Sequence, residues 1–290
     1  MSRSGSRIGN AYVITSMLLS AFVILLILFT LLLTSWDALR EVGWGLFTLE
    51  WNPPAQKFGI LSMLYGSAAV TALALTIAVP LGVLTAIFTS EMLAVKYRFY
   101  VKSLLELLAG VPSIIYGLIG VAFFSVWIGH LFNLSSGRTI LTAGILLAIM
   151  ILPTIITLSD DALNNVPGKY RESARGLGLY SYEVIFKAVL PIAKSDIIGA
   201  VLLALGRALG ETMAVMLVIG SIDRIPHPFF NFLSPGQTIT SKLGREMAET
   251  AFGSLHFSAM IFMGLLLMLI TLGMTSLTQR YFKPELRLDE

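Results

Sequence analysis

Residues 159–178 read SDDALNNVPGKYRESARGLG, and residues 190–215 read LPIAKSDIIGAVLLALGRALGETMAV. The first stretch is polar and contains Pro and Gly, which end or begin helices. The second has the length and apolar character of a buried helix, yet it carries Arg207 and Glu211. A polar elbow followed by an apolar helix with charges inside it is the arrangement from which the other segments are placed.

The composition of the 290-residue chain indicates an integral membrane protein. Hydrophobic residues make up 56% of the chain and charged residues 13%, and the mean hydropathy is +0.82. Soluble domains carry about 25% charged residues. The chain has no Cys, which excludes disulfides and thiolate metal sites. It also has no G-x-x-x-x-G-K-[ST] loop, so any nucleotide would be bound by another chain.

Six apolar segments are long enough to cross a bilayer, which takes about 20 residues each. The pattern therefore predicts an all-α polytopic fold, with a retained first span rather than a cleaved signal peptide. Pro80, Pro112 and Pro153 lie inside the predicted spans and predict kinks there, as in helices that line a pathway or move. The predicted spans are Tyr12–Thr34, Tyr65–Phe88, Leu105–Trp127, Thr139–Leu158, Ile197–Ile219 and Ser258–Leu277.

Lys and Arg concentrate in one set of loops, and the positive-inside rule places that set and both termini in the cytoplasm. The opposite, outer loops contain two sizeable segments, Ser35–Ser62 and Ser221–His256, whose prolines predict ordered turns. A short helix is expected near Ser241–Thr250. These segments are an outer gate, a docking surface or plain connections. We divide the chain into an anchor (1–60), a core (61–278) and a cytoplasmic tail (279–290).

The cytoplasmic elbow is expected to contain a short helix at about 167–178. Pro167 suits the first turn of that helix, and Gly176 and Gly178 suit its end. Ser181 is expected to cap a second stretch that Leu190-Pro191 closes. From the residues alone, the elbow is either an ordinary surface loop or a docking element. The acidic pair Asp160-Asp161 could belong to an intramembrane enzyme, but no His converges on it and capping of a helix start is favoured.

Arg207 lies ten residues after Ile197, about 15 Å along a helix and near the middle of the membrane. Glu211 is four residues further on, so the two side chains are predicted to share a face and pair. Gly206 and Gly210 beside them would let another helix approach closely. Two interpretations stay open. In the first, the pair is a structural ion pair buried between helices. In the second, the pair faces a water-filled route, where the Arg207 fork attracts an oxyanion and Glu211 holds the Arg207 side chain in place.

The elbow resembles the EAA motif of ABC-importer permeases, E-A-A-x-x-x-G followed after nine residues by I-x-L-P. The matching residues are Glu172-Ser173-Ala174, then Gly178, then Leu190-Pro191. Ser173 replaces an alanine, and Ala188 replaces the usual isoleucine. The resemblance implies that the segment Glu172–Gly178 docks into a cleft of an ATPase subunit and passes its motion into the membrane.

The charged span, Gly206–Val215, resembles the C-type permease subunits of the phosphate-specific (Pst) ABC importers. Further similar stretches are Phe58–Leu61, Ala109–Leu118 and Thr238–Lys242. The resemblance implies a type I importer permease fold and a translocation pathway. The expected pathway residues are Arg207, Glu211, Thr212, Ser113 and Tyr116.

The same resemblance implies a non-catalytic subunit of a phosphate importer in the bacterial inner membrane, working by alternating access. Its implied partners are a homologous A-type permease, two ATPase chains that bind ATP and Mg, and an extracytoplasmic phosphate-binding protein. No cofactor on this chain and no nucleic acid are implied. The alternatives are a permease for another oxyanion or solute on the same scaffold, and an ion-coupled secondary transporter, for which no inverted repeat is visible.

Overall fold

The computed structural model describes residues 3–281, which form helices joined by loops and one small hairpin. Residues 282–290, most of the predicted tail 279–290, lie outside the described residues. The elements, in chain order, are α1 (Arg3–Glu41), β1 (Trp51–Asn52), β2 (Lys57–Phe58), α2 (Leu61–Ile87), α3 (Val95–Gly110), α4 (Ser113–Ile119), α5 (Ser125–Leu131), α6 (Ile140–Asn164), α7 (Gly168–Gly176), α8 (Ser181–Val184), α9 (Leu190–Gly210), α10 (Met213–Val218), α11 (Ile239–Glu246) and α12 (Leu255–Tyr281).

Six helical stretches among the described residues are long and apolar enough to cross a membrane, which confirms the predicted number. They also confirm the all-α class. The six stretches are Tyr12–Glu41, Leu61–Met92, Ser113–Leu131, Ile140–Asn164, Ser181–Gly210 and Leu255–Ser276.

The third span begins later than predicted. Val111 and Pro112 have extended backbones, with ψ of 128° and 135°, so they separate α3 from α4. The segment from Leu105 to Gly110 therefore belongs to α3, and Pro112 precedes a span instead of kinking one. Proline explains the break, because it disfavours the helical conformation of the residue before it. Pro80 and Pro153, in contrast, lie inside α2 and α6, which continue through them.

The fifth span is displaced towards the elbow. The predicted stop at Leu190-Pro191 is wrong, because one helical stretch runs from Ser181 to Gly210. A π-helical turn over Ile185–Val189 leads directly into α9, and Pro191 occupies the first turn of α9. Such a wider turn is one way in which a helix accommodates a residue that has no N–H to donate. Ser181 is the first helical residue rather than the cap, and the carboxylate of Glu183 accepts the N–H of Tyr180 at 3.0 Å.

Three apolar clusters follow one another along the bundle and define its two ends. The elbow end unites the C-termini of α2 and α6 with α7 and the start of α9. The middle is formed mainly by α2, α6, α9 and α10. The hairpin end unites the C-terminus of α1, the β-hairpin and the starts of α2 and α12. Helices α1 and α12 also pack against each other.

The hairpin end is ordered, as the prolines of its segments predict. Strands β1 and β2 pair antiparallel, with Trp51 opposite Phe58. The expected short helix is confirmed as α11, which Thr238 caps by accepting the N–H of Ser241 at 3.1 Å. Lys242 of α11 is 2% exposed and forms ion pairs with Asp223 and with Glu246, the latter at 2.6 Å. A buried lysine with two carboxylates fastens α11 to the loop that contains Asp223.

Candidate functional site

The charged span does not continue as one helix past Gly210. Glu211 has an extended backbone, with φ of −69° and ψ of 121°, and α10 begins only at Met213. The predicted Arg207–Glu211 ion pair is therefore wrong, because side chains four residues apart face each other only on an unbroken helix. Instead, the Glu211 carboxylate accepts the N–H of Ala214 at 3.1 Å and caps α10. Thr240 of α11 donates its hydroxyl to the Glu211 carbonyl at 2.8 Å.

Arg207 faces a cavity of about 520 Å³. Its Nη1 donates to the hydroxyl of Thr154 at 3.3 Å, and it forms no ion pair within the described part of the chain. A guanidinium has five N–H donors, so most of this fork is available to another acceptor. The cavity is otherwise mainly apolar, and its polar groups come from Arg207 and three threonines. The lining residues are Thr154, Gly199, Leu202, Leu203, Leu205, Gly206, Arg207, Leu209, Thr271, Met274 and Thr275.

The face of α9 beside Arg207 is not covered by the described chain. A Cβ atom built on Gly199, Gly206 or Gly210 would meet nothing within 4 Å. No described helix therefore makes the close approach that Gly206 and Gly210 would permit. An uncovered face with small residues and one cation can receive a second polypeptide, a solute or both.

The other predicted pathway residues lie away from this cavity, since none of them is among its lining residues. The Thr212 hydroxyl lies 3.3 Å from the carbonyl of Gly210, in the break after α9. The Tyr116 hydroxyl donates to the Leu108 carbonyl at 2.8 Å and spans the break between α3 and α4. Ser113 begins α4 and is partly buried. The structure thus joins Arg207 with Thr154, Thr271 and Thr275 rather than with the expected set.

Sequence reasoning missed these three threonines, although two signals pointed to them. Thr154 directly follows Pro153, where an apolar helix loses one backbone hydrogen bond. Thr271 and Thr275 lie four residues apart in an apolar span, so they share a face. Both also donate to backbone carbonyls of their own helix, Thr275 to Thr271 at 2.8 Å.

The elbow helix α7 confirms the predicted helix and its glycine stop. Gly178 has φ of +83°, which glycine adopts without strain. The N–H of Gly178 donates to Arg175 at 2.9 Å and that of Leu179 to Ala174 at 3.3 Å, the two bonds of a Schellman motif. This motif fixes the direction in which the chain leaves the helix.

The EAA-like residues fall on different sides of α7. Glu172, Ser173 and Gly178 are exposed, whereas Ala174 is buried in the core of the elbow end. Leu190 packs against that same core and Pro191 is exposed, both in the helix that follows. Glu172, Ser173 and Gly178 are therefore accessible to a partner, and Ala174 packs inward.

Large apolar side chains surround the exposed side of the elbow. Leu177 is 84% exposed, and Tyr180 and Tyr182 stack with ring centroids 6.1 Å apart. Exposed aromatic residues beside a rigid turn are typical anchors of protein interfaces.

The acidic pair lies at the end of a helix and not at a start. Asp160 is buried in the last turns of α6, so the favoured capping role is wrong. Its carboxylate pairs with Lys102 of α3 at 2.7 Å and accepts the Thr89 hydroxyl at 2.9 Å. The hydrogen bond to Asp160 raises the pKa of Lys102, although burial opposes the shift. The stabilisation is complete below the unfolded pKa of Lys102 and is lost only as pH rises through the higher folded pKa.

Comparisons with known proteins concern the whole chain and its fold. The family model described as "Binding-protein-dependent transport system inner membrane component" matches residues 78–287. A protein of Mesorhizobium japonicum named phosphate transport system permease protein PstC is 39% identical over 257 residues, covering 82% of this chain and 77% of its own. The PstC protein of Pasteurella multocida is 36% identical over 288 residues, covering 91% of this chain and 88% of its own.

A Bacillus subtilis protein named probable ABC transporter permease protein YqgH is 35% identical, covering 78% of this chain and 73% of its own. Among solved structures, a bacterial ABC transporter involved in the import of alginate superposes with a TM-score of 0.62 and 17% identity, covering 97% of this chain and 100% of its own. The MetNI methionine ABC transporter gives a TM-score of 0.56 and 15% identity, covering 79% and 97%. At these identities the structures show a shared fold and nothing of the substrate.

Proposed function

Because this chain belongs to the family of binding-protein-dependent transport system inner membrane components, we propose that it is the permease subunit of an ATP-driven importer of inorganic phosphate. The relatives named for phosphate transport support the substrate. The chain itself supports an anion, because Arg207 presents an unpaired guanidinium to a cavity. The Arg207 guanidinium in this cavity is the single structural observation that carries the proposal of an anion as the substrate.

The chemistry of the cavity suits a tetrahedral oxyanion. A guanidinium binds two oxygens of a phosphate in parallel. The Thr154 hydroxyl accepts from Arg207 and keeps its own hydrogen to donate to a third oxygen. Apolar walls weaken the screening of the charge by water, so one arginine attracts an anion from a distance. Glu211 is turned away to cap α10 and does not neutralise Arg207.

A homologous second permease is proposed to cover the open face of α9. Gly199, Gly206 and Gly210 leave room for a close helix there. The pathway would then lie between the two subunits, with Arg207 on its wall. Any further charges of the pathway would come from that second chain.

We propose that the remaining partners dock at the two ends of the bundle. One of the two ATPase chains, which bind ATP and Mg, docks on the exposed side of α7, where Glu172, Ser173 and Gly178 are accessible, and the other docks on the second permease. In this proposal, the elbow end and both termini lie in the cytoplasm. A phosphate-binding protein docks on the ordered hairpin end. This chain binds no cofactor and catalyses no covalent step.

Transport follows from the continuity of the helix Ser181–Gly210. Arg207 lies roughly 40 Å along this helix from its elbow end, at about 1.5 Å per residue. Movement of the elbow by the ATPases tilts the helix as a rigid body, and the break at Glu211 and Thr212, where Glu211 has an extended backbone, acts as its hinge. Arg207 is thereby exposed alternately to the two sides of the membrane.

The test is uptake by proteoliposomes that contain the chain with its ATPases, the second permease and the binding protein. Phosphate should accumulate only with internal ATP, and sulfate and molybdate should not. Preferred uptake of another oxyanion would replace phosphate as the substrate on the same scaffold. Uptake that needs an ion gradient and no ATPase would instead support a secondary transporter.

A further inference from the structure

An ion pair between Arg171 and Glu91 connects the elbow helix to the spans. The Arg171 Nη2 lies 2.6 Å from Oε1 of Glu91, and its Nε lies 3.2 Å from the same oxygen. The two side chains are 18% and 11% exposed, so water and salt screen the pair only weakly. The residues are 80 positions apart in the chain.

The same guanidinium also binds the end of α6. Its Nη1 donates to the carbonyl of Val166 at 2.6 Å, and its Nη2 donates to that of Leu163 at 2.8 Å. Leu163 lies in the last turn of α6, whose final carbonyls have no partner within the helix. Arg171 thus gives the Leu163 carbonyl, which also accepts the N–H of Val166 at 3.3 Å, a second donor and binds the Val166 carbonyl just beyond the helix.

Glu91 belongs to a second spanning element. It lies in the π-helical turn Phe88–Met92, which continues α2 without interruption. One planar side chain on α7 therefore holds α2 through a carboxylate and α6 through two carbonyls. Helices α2 and α6 in turn pack against each other over their length and share the middle core.

We propose that the Arg171–Glu91 ion pair is the joint that passes motion of α7 to α2 and α6, so that these spans move together with the elbow. Apart from this joint, α7 packs into the elbow core through Ala174, its one buried residue, and through the partly buried Tyr170. The chain path connects α7 to α6 through residues 165–167 and to α9 through α8. A push on the elbow therefore reaches α2 only through side chains. This inference rests on the proposed function, in which ATPases move α7.

Arg171 and Glu91 are positioning residues under this proposal, and docking does not require them. Both are turned inward, whereas Glu172 and Ser173 are exposed on the docking side. Loss of the joint should therefore leave the ATPases bound but separate ATP hydrolysis from transport. A purely structural role would lower assembly, hydrolysis and uptake together.

The test compares phosphate uptake per ATP hydrolysed in the reconstituted full complex. In Glu91→Ala, which leaves the carbonyl contacts of Arg171 in place, the ATPases should co-purify normally and the ratio should fall by about 5-fold or more, the lower end of measured coupling between sites. Glu91→Asp should restore part of the ratio. The control is Ser20→Ala in α1, which removes an exposed hydroxyl that donates to the Ser16 carbonyl of its own helix at 2.9 Å, and its ratio should be unchanged.

Three outcomes would overturn the joint: a wild-type ratio in Glu91→Ala, an equal fall in hydrolysis and uptake, or no recovery in Glu91→Asp. If Glu91→Ala does not assemble, Glu91→Gln provides the same comparison with the side-chain volume kept. Failure of wild type to import phosphate would count against the proposed function alone. The joint is then measured without any substrate, by spin labels on Lys169→Cys and Leu84→Cys in this cysteine-free chain.

In that measurement, the distribution of distances between the labels on α7 and α2 should stay narrow with and without ATP in the wild type. In Glu91→Ala it should broaden when ATP is added, because α7 then moves without α2. An equally narrow distribution in both proteins would show that the ion pair does not join the two elements.

Discussion

Arg207 lines an uncovered cavity with most of its donors unused, so the substitution Arg207→Gln tests its role directly. Glutamine keeps two donors but removes the charge and the fork. Loss of a charge-assisted hydrogen bond costs about 1.5–3 kcal/mol, which corresponds to about a 10- to 150-fold fall in phosphate uptake. Uptake and assembly are measured on the same reconstituted complex.

The matched control is Arg207→Lys, which keeps the positive charge without the planar fork. It should retain more uptake than Arg207→Gln and should assemble equally well. Normal uptake in Arg207→Gln would remove Arg207 from the pathway.

Gly66 shows how tightly single residues are fitted in the described part of the bundle. A Cβ atom on Gly66 would lie 1.9 Å from the backbone oxygen of Gln237, so the backbone would have to move. Gly66→Ala should lower the free energy of unfolding by about 1–3 kcal/mol, as overpacking of a core does. Thermal unfolding in detergent measures the change.

Gly264 of α12 provides the comparison, because a Cβ atom there would meet nothing within 4 Å. Gly264→Ala should be neutral or stabilising, since alanine favours a helix by about 1 kcal/mol over glycine. Equal effects at the two sites would show that close packing at Gly66 contributes nothing to stability.

Gly178 sets the direction in which the chain leaves the elbow helix. Gly178→Asp should strain the backbone by about 1–2 kcal/mol at its positive φ and place a negative charge on the docking side. We expect the ATPases to dissociate from the complex, as measured by co-purification. Gly253→Asp is the control, because Gly253 has φ of +78° and equal free space at the other end of the bundle. Retention of the ATPases by Gly178→Asp would contradict docking at the elbow.

The secondary-structure elements that were predicted correctly are those for which one physical requirement dominates. A bilayer demands about 20 apolar residues for each span, so six spans followed from the sequence. The glycine stop of α7 followed for a similar reason, because only glycine adopts φ of +83° without strain. Such requirements are local, and the local sequence is sufficient to express them.

The break at Glu211 was predicted poorly because a distant residue helps to stabilise it. The open backbone at Glu211 is supported by Thr240, 29 residues away, and by the N–H of Ala214. The bond to Ala214 is local, but nothing near Glu211 reveals the contact with Thr240, so a continuous helix with an Arg207–Glu211 pair was expected. The Arg171–Glu91 pair spans 80 residues and was likewise invisible. Its residues become neighbours only after the bundle has folded.

At the scale of the whole molecule, the two ends differ in construction. The hairpin end is closed by a hairpin, α11 and the buried Lys242. The elbow end is held by Arg171, Lys102 and their carboxylates and exposes aromatic residues around α7. Under the proposed function, the hairpin end receives the binding protein and the elbow end transmits movement. The division into anchor 1–60 and core 61–278 stays a prediction, although α1 packs on α12.

This polarity predicts which end faces the cytoplasm. The chain has no Cys, so a single introduced thiol reports its own location without further changes. Lys169→Cys at the elbow should react with a membrane-impermeant maleimide only after the cells are permeabilised. Lys57→Cys at the hairpin should react in intact spheroplasts. Both side chains are exposed, so burial does not limit the reaction. If Lys169→Cys is labelled from outside, the proposed orientation is reversed and α7 cannot meet an ATPase. If only Lys57→Cys is labelled from outside, the elbow lies in the cytoplasm, where ATP is hydrolysed.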